Sequence, residues 1–154
     1  MTGILHRLAA QNDTEMAKPD FATHFLRGIA HFNSREFWDA HESWEEIWLA
    51  AESDVEQFLQ GLIQVAAAYH HLKRGTFPGG VRLFDSGLRR LQSFPAGFCD
   101  LDRGPMEMLA RQHRAWAAER LSEEKRNDRL RDEEYPVLNL VITNRAPSPP
   151  LDRW

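Results

Sequence analysis

The chain has 154 residues, a formal net charge of -4 and 27% charged residues, a length that supports one hydrophobic core and is too short for two. Lysines and arginines alternate with acids throughout, so no basic stripe follows a phosphate backbone and nucleic acid is not an expected partner. One cysteine, Cys99, excludes an internal disulfide and fits a reducing compartment, where it reads as a small buried hydrophobe.

The opening MTGILHRLAAQNDTEMAK breaks its apolar run at His6 and Arg7. Neither a signal peptide nor a membrane span is expected there, and the protein reads as cytoplasmic. Residues 1–19, ending at Pro19, read as a loose arm, residues 20–122 as the folded domain, and 123–154 as a charged connector with an extended tail. Asp20 suits the N-cap of a first helix through about His31. Asn33 with Glu36 has capping-box spacing for a second through about Ala51. Ser53 with Glu56 repeats that signal for a third, which Gly75 and Pro78 stop after Arg74. A fourth, from about Gly80 to Phe94, sets Val81, Phe84, Leu88 and Leu91 on one face and Arg82, Asp85 and Arg89 opposite. Pro105 opens a fifth, where Met106, Leu109, His113 and Trp116 share a side. The mixed-sign run ERLSEEKRNDRLRDEE reads as solvated. Beyond Pro136, VLNLVIT is extended; it either lies across the bundle or pairs with a second copy, which would make a homodimer. The fold class is all-α, a compact bundle of about five helices with a short extended C-terminal segment.

Two of these helices carry polar residues where packing asks for apolar ones. On the second, a wheel of about 100° per residue puts Phe37, Ala40, Trp44, Ile47, Trp48 and Ala51 on one arc. His41 and Glu45 continue that arc, with Trp38 and Leu49 beyond them and Glu42 on the rim. The third is apolar nearly all round, which is the habit of a central helix, and leaves one stripe of Gln57, Gln60, Gln64 and His71. Buried polar groups need partners. His41 and Glu45 are therefore expected to face Gln60, Gln64 and His71 across an internal gap, with Gly61, Ala67 and Ala68 leaving room.

Three readings of such a site compete. One is a purely structural hydrogen-bond network, in a protein that serves as an interaction or assembly module through its tail. Another is a divalent metal such as zinc held by His41, Glu45 and His71, with Glu42 as candidate acid or base of a metal-assisted hydrolase. The third is a small-molecule pocket in which Gln60, Gln64 and Trp38 bind the ligand, Glu45 or His41 is the acid or base and Trp side chains form the walls. HESWE is not the zinc-protease pattern, and there is no phosphate loop or nucleophile elbow. His24, His31 and His113 read as surface or core-edge residues, and His70 points about 100° away from the stripe.

At these residues the chain resembles the family known as domain of unknown function 309, small helical proteins of bacteria and archaea. FNSREFWDAHESWEEIW, FLQGLIQVAAAYHHLKRG and GGVRLFDSGLRRL correspond in order to three family segments. These are an aromatic-x-Ala-His-Glu-x-x-Glu helix, a Gln-Gly-Leu-Ile-Gln helix ending in His and Arg-Gly, and a Gly-Ala-x-Arg-Leu segment. The resemblance runs from about Phe32 to about Phe94 and implies a five-helix bundle in which His41, Glu42, Glu45, Gln60, Gln64 and His71 are marked positions. Thr76 stands where the family often has Asn, and Gly80-Val81 replaces Gly-Ala. The family carries no established activity, so the resemblance adds fold and site without chemistry.

Overall fold

The computed structural model describes residues 19–141 and 146–149, and the expectations for the arm before Pro19 and for the remaining tail residues lie outside them. Among the described residues there are five α-helices, α1 (Phe21–Asn33), α2 (Phe37–Trp48), α3 (Ser53–Arg74), α4 (Phe77–Leu91) and α5 (Gly104–Ala118), with two short strands, β1 (Leu101–Asp102) and β2 (Asn139–Leu140). The all-α class stands. No helix is long and apolar enough to cross a membrane among these residues.

Asp20 caps α1 as expected, its carboxylate accepting the backbone N–H of Thr23 at 3.2 Å. The capping box expected of Asn33 and Glu36 does not form. Asn33 is instead the last residue of α1, and its amide holds the distant tail, donating to the Leu138 carbonyl at 2.9 Å and accepting the Leu138 N–H at 2.7 Å. The chain turns at Arg35 (φ 62°) and Glu36 becomes the flanking residue of α2. Gly75 closes α3 with φ 75°, a conformation that costs a side-chain-bearing residue energy. Pro78 does not stop α3 but sits in the first turn of α4, where its missing N–H is harmless, so α4 starts and ends earlier than expected.

α3 packs against both α2 and α4 and is the central helix. Its buried residues include Val55, Phe58, Leu62, Val65, Tyr69 and Leu72, and Tyr69 touches the rings of Phe32, Phe37, Phe84 and Tyr135. Trp44 is fully buried on α2 and donates its indole N–H to the Phe25 carbonyl at 3.2 Å. Small residues that were expected to leave an internal gap do something else. A Cβ at Gly61 would stand 2.9 Å from Leu91, and one at Gly87 would stand 2.9 Å from the Gly61 carbonyl. They bring α3 and α4 into close contact where Gly61 and Gly87 meet, so no room is left between the two helices at that level.

Two clasps complete the domain. The buried guanidinium of Arg103 donates to the carbonyls of Leu91, Phe94 and Pro95, satisfying the open end of α4, and to Glu107 at 2.6 Å. The extended segment after Pro136 lies across the bundle. β2 pairs antiparallel with β1, Leu140 opposite Leu101, and the Val141 N–H donates to the Asp100 carbonyl at 2.8 Å. The run 121–129 is exposed, as its mixed charges foretell.

Candidate functional site

Because the buried arc of α3 is wide, its polar stripe faces outward, into the space between α2 and α4. Gln60, Gln64 and His71 are half-buried along it, with Gln57 exposed at one end. On the neighbouring helix His41 is 18% exposed and Glu45 38%, while Glu42 is exposed. The two polar ribbons therefore line a face of the bundle, where an internal gap was expected. No hydrogen bond or ion pair joins them among the described residues; Gln57, Gln64 and His71 find partners elsewhere. Gln64 accepts from Arg90 Nε of α4 at 3.1 Å, and Gln57 accepts from Arg90 Nη1. His71 Nδ1 is hydrogen-bonded to the Thr76 hydroxyl at 2.6 Å, beside Gly79.

His41 has no such partner. Its Nε2 stands 3.6 Å from Glu45 Oε2, beyond a normal hydrogen bond, and its Nδ1 is buried with nothing to bond. Trp38, 48% exposed, stacks on the imidazole at 4.6 Å between ring centres and 9° between planes. Trp38 also meets His70, at 5.3 Å between ring centres. His70 thus belongs to the surroundings of His41 more than His71 does, against the expectation from the wheel, because Trp38 bridges from α2 to the edge of the α3 stripe.

Burial lowers the pKa of His41 below 6.5, opposed by the carboxylates of Glu45 and then Glu42. At neutral pH the pair is therefore a neutral imidazole beside a carboxylate and not an ion pair. Burial and the nearby cations lower His70 and His71 as well. A neutral imidazole one helical turn from a carboxylate can accept a proton or ligate a metal.

The ligand atoms of His41, Glu45 and His71 do not converge within 4.8 Å, whereas those of His31, Glu36 and Asp39 do. That second group is explained without an ion. His31 Nδ1 and Glu36 Oε1 already bond to each other at 3.1 Å on the surface. His24 Nδ1 is buried and unbonded like that of His41, but no carboxylate stands within ion-pair distance of it among the described residues.

The polar pair that does lie in the interior was not singled out from sequence. The Tyr69 hydroxyl and His113 Nδ1 are 2.8 Å apart, with Tyr69 fully buried and His113 7% exposed. Burial raises the Tyr69 pKa well above 10.0 and lowers that of His113, so both are neutral and satisfied. The available signal was a histidine on the apolar side of α5 and a tyrosine on the apolar arc of α3. Cys99 is buried and its thiol is pushed up to about 12, which makes it inert.

These features define a helical bundle with a half-buried His/Glu/Trp face centred on its second helix. Residues 25–83 match the family described as a domain of unknown function (DUF309), spanning most of α1 to the middle of α4 and including all the marked positions. An uncharacterized protein of Aquifex aeolicus (strain VF5) is 30% identical over 74 residues, 47% of this chain and 22% of that relative. The chain thus spans less than a quarter of the length of that relative. No solved structure matches the chain.

Proposed function

We propose that this protein binds a divalent transition metal ion, zinc by the chemistry of the donors, between His41 Nε2 and Glu45 Oε2, with Trp38 as the wall of the site. The observation that carries this is the 3.6 Å separation of the two atoms around a half-buried imidazole that lacks any proper hydrogen bond. Two ligands of one tetrahedral zinc, each about 2.0–2.1 Å from it, stand about 3.3–3.4 Å apart, so only a small closure is needed. The lowered pKa of His41 keeps the lone pair free at neutral pH. Two protein ligands leave open positions for water or an anionic small molecule. His71 keeps Nδ1 bonded to Thr76, so Nε2 is the nitrogen with which it would join the set, and His70 lies against Trp38 beside the site. Glu42, exposed one residue beyond His41, is the acid or base of the hydrolytic version of this reading.

Elemental analysis of untagged protein grown with supplemental metal tests it. The expected result is one equivalent per chain, lost in His41→Ala and in Glu45→Gln and kept in His31→Ala. Metal-free protein, or metal that follows His31, contradicts it.

A further inference from the structure

The geometry points to a second, separate site: a cleft between the start of α3 and the end of α4 that takes a small molecule with a single carboxylate or phosphate group, bound by Arg90 and Arg89. The cleft has a volume of about 440 Å³ and is lined by Asp54, Gln57, Ser86, Arg89, Arg90 and Ser93. Its distinguishing feature is the way Arg90 is held. The guanidinium is half-buried and donates from Nε to Gln64 and from Nη1 to Gln57, both neutral carbonyl oxygens. Nη2 has no acceptor, and no carboxylate pairs with Arg90 among the described residues. Arg89 likewise has no hydrogen bond or ion pair among them.

A structural arginine in this protein looks different. Arg114 is matched by both oxygens of Asp85, and Arg103 has Glu107 and three backbone carbonyls. Arg90 is instead oriented by groups that fix its plane without neutralising its charge, which leaves a planar fork ready for a two-oxygen anion. The Ser86 and Ser93 hydroxyls add donors to the same lining. This gives the polar stripe of α3 a use that a metal site does not: Gln57 and Gln64 are positioning residues for Arg90.

The test is an NMR titration of the full chain at constant ionic strength, on protein freed of metal with a chelating resin so that the outcome is independent of the metal reading. Inorganic phosphate and acetate are the two probes. Saturable shifts confined to the amides and side chains around Gln57, Gln64 and Arg90 are expected. Saturation by phosphate alone assigns a phosphate ester, by acetate alone a carboxylate, and by both the shared oxyanion chemistry. Arg90→Gln should weaken binding about tenfold or more, the worth of a charge-assisted hydrogen bond. Arg89→Gln, on an exposed residue that cannot disturb the fold, should weaken it by a smaller factor. Gln64→Leu should weaken binding with the charge retained, and unchanged affinity there removes the positioning role. Shifts that grow linearly with either salt, or that persist equally in the Arg89 and Arg90 variants, overturn the proposal.

Discussion

Tyr69–His113 and His41–Glu45 are two histidine pairs in one small bundle, and both imidazoles are held neutral by burial. In the first, a hydroxyl 2.8 Å away satisfies the ring nitrogen and four aromatic rings, Phe32, Phe37, Phe84 and Tyr135, close over Tyr69. In the second, the carboxylate stops at 3.6 Å, the other ring nitrogen is orphaned and the covering Trp38 is half open to solvent. An unsatisfied buried polar atom costs about 1–3 kcal/mol. The fold satisfies the histidine in its core and leaves the one at the rim unsatisfied, and under the proposed function the second is the ligand-binding group.

The comparison breaks most visibly at Tyr69. Tyr69→Ala should cost about 3–5 kcal/mol by opening a cavity among the rings it touches. Tyr69→Phe should cost about 1–3 kcal/mol by stranding His113 Nδ1, and urea unfolding of both variants measures the difference. If Tyr69→Phe is neutral, the interior pair is not the structural element claimed here.

Asn33→Ala comes next. It removes both backbone bonds to Leu138, about 1–2 kcal/mol in total, and should free the tail to exchange its Leu138 and Val141 amide protons faster. Equal protection in the variant would show that the β1–β2 pairing alone holds the segment.

The pH dependence follows with a defined sign. The folded-state pKa of His113 lies below 6.5, so the unfolded chain takes up the proton first as pH falls. Stability is full above pH 6.5 and is lost between 6.5 and the lower folded-state value. His41, His70 and His71 are shifted the same way and add to this slope, though they are closer to solvent. Thermal melts above and below pH 6.5 should show the slope, reduced in His113→Gln. A wild-type protein more stable below pH 6.5 than above it would contradict the burial of neutral imidazoles.

The smallest effect is expected at the rim. His41→Gln should change stability by no more than about 0.5 kcal/mol, or raise it, because a group kept for a ligand contributes little to the fold. A loss comparable with Tyr69→Phe would make the two pairs equivalent.

How far the sequence could be read follows from the range of each interaction. The Asp20 cap, the Gly75 stop and the apolar faces of α4 and α5 are set by residues within a turn or two of each other, and local periodicity exposes them. The polar stripe of α3 was also legible, since the wheel gives its direction. Its partners were not. A wheel says which way Gln64 points but not that Arg90, 26 residues on, lies there, nor that Gly61 and Gly87 seat α4 closely against α3. The same holds for Tyr69 with His113, 44 residues apart, and for Asn33 with Leu138, 105 apart. Asn33 shows how local logic fails: its capping-box spacing is real, but two backbone bonds to the tail outweigh one cap.

The central claim, that the orphaned imidazole of α2 is the ligand-binding histidine, is tested most directly by following imidazole nitrogen resonances while one equivalent of zinc is added. His41 Nε2 is expected to shift to a metal-bound position while His113, still bonded to Tyr69, does not move. Zinc that binds while His41 stays put, or that perturbs His31 instead, would contradict it.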